Sequence, residues 1–160
     1  MNYASSGNGT IVNLTAEAFK AQAGVFIVHI PYRGTALAIP DLVSGKVQLL
    51  FDSIVSGLPH VKDGKLKALA VTSTRRSALV PDLPTVAESG LPGYESSNWY
   101  GYVATAKTPP AIIRTLNQAF VAAINQPDVR KTLVAQGNDV IANTPAEFAK
   151  VIQADAGKWG

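Results

Sequence analysis

Asn2-Tyr3-Ala4-Ser5-Ser6-Gly7-Asn8-Gly9-Thr10, followed at once by Ile11, Leu14, Ala18 and Phe19, decides the fold. A stub of strand, Asn2-Tyr3-Ala4, runs into a loop of small, hydroxylated and glycine residues. Helical spacing then takes over until Gly24 stops it. Val25 to Ile30 is rich in β-branched and aromatic side chains and reads as a second strand. Strand, glycine loop, helix and strand in that order form the repeating unit of a parallel sheet.

The same alternation continues downstream. Pro31-Tyr32-Arg33-Gly34 is a loop, Thr35 to Val43 a short helix ending at Ser44-Gly45, and Val47 to Phe51 a buried strand. Ser53 to Val61 reads as a helix and Leu66 to Thr72 as a fourth strand. The fold class expected is therefore α/β, a parallel-type sheet with crossover helices. Right-handed crossovers put every loop that follows a strand and opens a helix at the carboxyl edge of the sheet, where open α/β folds bind ligands.

Ser73 to Asn98 breaks the pattern with Pro81, Pro84, Pro92, Gly90 and Gly93, as a crossover between lobes would. Beyond it, Trp99 to Ala106 reads as a strand. Thr108-Pro109-Pro110 opens a helix with a threonine cap and carries Ile112, Ile113, Leu116, Phe120 and Ile124. Asp128 to Gln136 is a short helix, Val140-Ile141 a short strand, and Thr144-Pro145-Ala146-Glu147 a capping box for a last helix. The domain division expected is 1–75 as one lobe, 76–98 as an irregular crossover and 99–160 as part of a second lobe.

Composition narrows the function. Hydrophobic residues make up 47% and charged residues 16% of the 160 residues, which is a globular balance with few charges. The net charge of +3 is scattered, without the clustered basic face that nucleic acid requires. No run approaches the about 18 apolar residues of a membrane span. With no cysteine and two isolated histidines, His29 and His60, neither metal-ligand spacing nor a cofactor motif is present. A Ser/His hydrolase is a distant alternative, because His29 or His60 can be imagined beside Ser5, Ser53 or Asp52. No Gly-x-Ser-x-Gly elbow supports it. His29 reads as a satisfied, partly buried histidine and His60 as a surface one.

Three loops are candidate binding elements. In Ser5, Ser6, Gly7, Asn8, Gly9 and Thr10, glycines let a ligand approach the backbone, hydroxyls add donors, and the helix start supplies unpaired N–H groups, so an anion is the natural guest. A plain capping turn is the competing reading. Tyr32, Arg33, Gly34 and Thr35 repeat the arrangement. Tyr32 can pack on a ligand or bond to it, and Arg33 either clamps a carboxylate or merely props the loop. Asp52 and Ser53 stand at a strand end, Asp52 as a helix N-cap or as a contact to a ligand amine or water.

In the same order, Tyr3-Ala4-Ser5-Ser6-Gly7-Asn8-Gly9-Thr10, Val28-His29-Ile30-Pro31-Tyr32-Arg33-Gly34, Gly45-Lys46-Val47-Gln48-Leu49-Leu50-Phe51-Asp52, Gly64-Lys65-Leu66-Lys67-Ala68-Leu69-Ala70-Val71-Thr72 and Pro81-Asp82-Leu83-Pro84-Thr85-Val86-Ala87-Glu88-Ser89-Gly90 resemble the substrate-binding proteins of tripartite tricarboxylate transporters, the Bug receptors. The resemblance extends over nearly the whole chain, through Thr108-Pro109-Pro110 to Lys158-Trp159. Thr35, where a second glycine is common, and Pro40, inside the following helix, depart from it.

What the resemblance implies is a non-enzymatic, two-lobed periplasmic-binding-protein-like (type II) receptor. It would hold a small organic carboxylate largely by backbone amides and pass it to membrane transporter subunits. A ligand sensor without transport is the alternative within the same fold. The chain would be a C-terminal portion, one ligand-binding lobe plus a partial second lobe. Ser5 to Thr10, Tyr32 to Thr35 and Asp52-Ser53 would be its share of the site. Apolar faces from about Trp99 onward would then be uncovered, and self-association is the expected consequence.

Overall fold

The computed structural model describes residues 1–159. The chain divides into two compact units, Met1–Asn98 and Trp99–Gly160. In the first, β1 (Asn2–Ser5), α1 (Ile11–Ala23), β2 (Val28–Pro31), α2 (Thr35–Val43), β3 (Leu49–Leu50) and α3 (Ile54–Lys62) follow one another. The three strands form one parallel sheet in the order β2-β1-β3.

β1 is the centre of this unit because it is covered on both faces. Successive side chains of a strand point to opposite sides. Tyr3 packs with Ala16 of α1, Ile27, Leu49 and Phe51, while Ala4 packs with Ala38 of α2, Val47, Ile30 and Leu42. Tyr3, Ala4 and Ser5 are all fully buried. Small residues at Ala16 and Ala38 let each helix approach the sheet closely. Thr10 caps α1 by accepting the Asn13 amide, and Gly24 closes it at φ 64°, a left-handed conformation that costs glycine nothing.

Residues 76–98 contain no helix or strand, yet they are anchored. Val71 and Thr85 make an isolated parallel bridge, and Tyr94 donates its hydroxyl proton to the Thr15 carbonyl at 2.8 Å. The hydroxyls of Ser96 and Thr15 lie 2.6 Å apart, and the Ser96 amide bonds to the Thr72 carbonyl at 2.9 Å.

The second unit holds α4 (Pro110–Ile124), α5 (Pro127–Ala135) and α6 (Pro145–Trp159). No described residue of this unit is buried. Its contacts are aromatic: Trp99 meets Phe148 edge-on at 5.1 Å, and Tyr102 stacks on Phe120 at 4.3 Å. The indole N–H groups of Trp99 and Trp159 both donate to the Asp155 carboxylate, at 2.9 and 3.0 Å. Gly101 lies directly beneath the Phe148 ring, where a Cβ would fall 2.7 and 2.9 Å from two of its carbons. The expected capping box is formed: Thr144 and Glu147 exchange bonds, which holds the Glu147 carboxyl below the usual range.

Several strands expected from composition are shorter than expected or absent. β2 starts at Val28 rather than Val25, because its partner β1 reaches only far enough to pair from Asn2. β3 keeps two of the five residues from Val47 to Phe51. Leu66 to Thr72 contributes only the single bridge at Val71, and neither Trp99 to Ala106 nor Val140-Ile141 forms a strand. A strand exists through its ladder: Val71 is bridged only to Thr85, and no described strand pairs with Trp99 to Ala106 or with Val140-Ile141. Tyr100, Tyr102, Val103 and Ile141 are left 74–86% exposed. Two caps also differ. Pro109, not Thr108, precedes α4, with the Thr108 hydroxyl turned to Thr105, and Ser53, not Asp52, caps α3.

Candidate functional site

Parallel strands bring the loops after β1, β2 and β3 to one edge. β1 is flanked by β2 on one side and β3 on the other, so the chain crosses over the central strand between its second and third strands. The carboxyl end of β1 is thus the place where the strand order reverses, the usual ligand crevice of open α/β sheets. Helices α1, α2 and α3 all begin at this edge, and none has an acidic residue in its first turn. The positive dipole ends of α1 and α2 are left for a ligand to neutralise, while at α3 the Asp52 carboxylate already meets Ser56 of the first turn.

The loop from Ser5 to Thr10 is built by its own side chains. The Gly7 amide donates to Ser5 Oγ at 3.1 Å, the Gly9 amide donates to Asn13 Oδ1 at 3.0 Å, and the Thr10 hydroxyl donates to the Gly7 carbonyl at 2.8 Å. Gly7 takes φ 132°, a backbone state that side-chain-bearing residues rarely adopt. These bonds consume two of the amides that the sequence offered to a ligand. Among the described residues, the amides of Ser6, Asn8, Ile11 and Val12 take no protein acceptor and remain available. Ile11 and Val12 were missed in the sequence because a donor amide has no side-chain signature, although every helix start carries such orphans.

The second loop adjoins the first: the Tyr32 amide bonds to the Ser5 carbonyl at 3.0 Å, and the Tyr32 carbonyl lies 3.7 Å from where a Gly7 Cβ would stand. Tyr32 directs its hydroxyl to Asp41 Oδ2 at 2.9 Å, and Lys46 reaches Asp41 Oδ1 at 3.0 Å. Lys46, then Tyr32, holds the Asp41 carboxyl below its usual range, while partial burial and then Asp41 push the Tyr32 phenol up. Arg33 is exposed and makes no ion pair among the described residues. Gly34 precedes α2 at φ 118° without a side-chain cap, so the Thr35 amide, like that of Ala36, is open. In the third loop Ser53 accepts the Val55 amide at 3.4 Å, and Asp52 Oδ2 accepts the Ser56 hydroxyl at 2.5 Å.

Behind the first loop, Ser5 Oγ lies 2.6 Å from His29 Nε2. A nucleophile needs an approachable oxygen, and Ser5 has no exposed surface and is tied to Gly7. The pair therefore supports the loop. No group of His, Cys, Asp and Glu among the described residues is arranged to hold a metal, and no helix there is long and apolar enough to cross a membrane.

A parallel α/β unit with helix starts gathered at its switch point is the lobe architecture of periplasmic solute-binding proteins. The model of the tripartite tricarboxylate transporter family receptor matches residues 1–160, and the chain belongs to that family. A UPF0065 protein from the tcbD-tcbE intergenic region of Pseudomonas sp. strain P51 is 35% identical over 160 residues, which are 99% of this chain and 48% of that protein. Among solved structures, Rpa4515 of R. palustris with adipate superimposes with a TM-score of 0.88 at 31% identity, over 99% of this chain and 53% of that one. MatC (Rpa3494) of Rhodopseudomonas palustris with bound malate gives 0.81 at 32% identity, over 99% and 55%. The chain thus spans about half the length of these proteins.

Proposed function

We propose that this chain supplies one ligand-binding lobe of a periplasmic receptor that captures a small organic carboxylate without chemically changing it and hands it to a tripartite transporter. The observation that carries this is the meeting of three helix N-termini, free of first-turn acids, at the reversal point of the sheet. A carboxylate placed there receives amides of Ser6, Asn8, Ile11 and Val12 from the first loop and Thr35 and Ala36 from the second. Arg33 and Ser53 lie on the same edge with Asp52. The adipate- and malate-bound relatives make a dicarboxylate the favoured class.

In this proposal residues 1–75 are the receptor's second lobe, 76–98 the crossover and 99–160 the return segment that completes the first lobe. The lack of any buried described residue beyond Asn98 supports the last assignment. Thermal unfolding against adipate, malate, citrate, glutamate and benzoate tests the binding reading, because a ligand confined to the native state raises the midpoint. A dicarboxylate is expected to shift it selectively, and more strongly in a chain extended to the full length of the relatives. No shift in either form would remove the reading.

Sedimentation tests the uncovered return segment. Exposed Tyr100, Tyr102, Val103 and Ile141 are expected to drive self-association of the 160-residue chain at micromolar concentration. A stable monomer would contradict it.

A further inference from the structure

Asn8 and Gly9 form the exposed tip of the first loop. The Ser5–Gly7 half is closed by bonds of its own, whereas among the described residues the tip is tied back by one bond, from the Gly9 amide to Asn13 Oδ1 at 3.0 Å. Asn13 lies in the first turn of α1, where its own amide meets the Thr10 hydroxyl at 3.4 Å, so the two residues make a variant of the capping box. A cap needs only the oxygen end of the side chain. Here the nitrogen end is buried and used as well. Asn13 Nδ2 donates to the Tyr3 hydroxyl at 2.7 Å, Tyr3 donates to the Glu17 carboxylate, and Lys20 closes the series on Glu17 at 2.8 Å.

The direction of this series is settled by its two ends. A backbone N–H only donates and an ionised carboxylate only accepts, and Lys20, then Tyr3, holds the Glu17 carboxyl below its usual range. The single phenolic proton therefore goes to Glu17, the Tyr3 oxygen accepts from Nδ2, and Oδ1 is turned to Gly9. An aspartate has the same shape but no N–H for Tyr3, and its charge would stand behind amides meant for an anion. Asparagine alone meets both demands at this length. Tyr3 is completely enclosed and Asn13 is buried, so an exposed tip hangs on the core of the unit.

We infer that Asn13 is a positioning residue for anion capture: fixed by Tyr3, it draws the Gly9 N–H inward and holds the Asn8-Gly9 tip in the shape that leaves the amides of Ser6, Asn8, Ile11 and Val12 to a carboxylate. This rests on the carboxylate reading above. A tip already held in one conformation loses no further freedom on capture, which is how a bond that never touches the ligand adds to affinity.

The test uses the 160-residue chain, with Asn13→Ala and Tyr3→Phe read at a temperature where circular dichroism shows both folded. In ¹H–¹⁵N spectra the parent's Gly9 amide is expected to exchange with water more slowly than those of Ser6 and Asn8, and malate or adipate is expected to slow Ser6 and Asn8 while leaving Gly9 unchanged. Asn13→Ala should bring Gly9 to the rate of Asn8 and weaken both acids about tenfold. Tyr3→Phe keeps the capping oxygen and removes only its anchor; Gly9 should exchange faster and affinity should fall about threefold. Tyr94→Phe loses a buried bond elsewhere in the unit, to the Thr15 carbonyl, and should lower the melting midpoint with Gly9 and affinity unchanged. A Gly9 amide as fast as Asn8 in the parent, or a Tyr3→Phe chain that melts earlier yet keeps both Gly9 protection and affinity, reduces Asn13 to a helix cap and overturns the inference while leaving carboxylate binding intact. If Gly9 responds as expected but no acid of the thermal panel binds, the receptor reading fails, and the role in capture falls with it.

Discussion

Replacing Tyr3 by alanine is expected to lower the unfolding free energy of the Met1–Asn98 unit by about 3–5 kcal/mol, the usual range for deleting a buried aromatic ring. Tyr3 is completely enclosed and packs on Ala16 and Ile27, with Leu49 and Phe51 at the margin. Its hydroxyl receives Asn13 and donates to Glu17, and its ring carries His29. Few small domains have that much stability to spare. Tyr3→Phe separates the contributions: packing survives, the buried Asn13 amide loses its acceptor, and the cost falls to about 1–3 kcal/mol. Urea unfolding followed by far-ultraviolet circular dichroism reads both. An alanine variant as stable as the parent would mean that β1 is not the centre of the core.

The second large effect is alkaline. Burial, with Glu95 second, pushes the Tyr94 phenol up to about 12. Tyr3 is raised further, first by burial and then by the bond and charge of Glu17. Both groups sit above the unfolded tyrosine value of about 10. Their contribution is therefore present in full below about pH 10 and is lost as pH climbs through the folded-state values. For Tyr94, which is 2% exposed, the loss amounts to something on the order of 3 kcal/mol. Phenolate absorbance and circular dichroism recorded together should show Tyr3 and Tyr94 held back from ionisation while the fold persists. Late ionisation should coincide with unfolding. Ionisation of Tyr3 and Tyr94 near about pH 10 with the fold intact would contradict the burial.

How much of this was legible in the sequence depended on whether the determinant was local. The helix from Thr35 to Val43 has its expected bounds, and α1 ends at Gly24, because a glycine that must turn left-handed and a capping hydroxyl act within a few residues. The strand from Trp99 was misread for the opposite reason. Its β-branched and aromatic content describes a surface that fits a sheet, but the sheet must be provided by other residues. Asp52 was preferred over Ser53 as a cap on residue type, and the backbone placed the next residue in the capping position. Tyr32 was read as free to meet a ligand, whereas the turn of α2 brings Asp41 within reach of its hydroxyl. The contact between Ser5 and His29 had no trace in their spacing of 24 positions. It arises from the parallel register that sets Tyr3 beside His29, and register is a property of two strands together.

The sharing of Asp155 by Trp99 and Trp159 has an optical consequence. These are the two tryptophans of the chain, and both belong to Trp99–Gly160. Emission excited at the red edge of the aromatic band therefore belongs to one unit alone. The buried phenols Tyr3 and Tyr94 belong to the other. Tyr100 and Tyr102 share the unit of the tryptophans, so phenol signals mix the two halves, whereas indole emission follows the melting of Trp99–Gly160 alone without an attached dye.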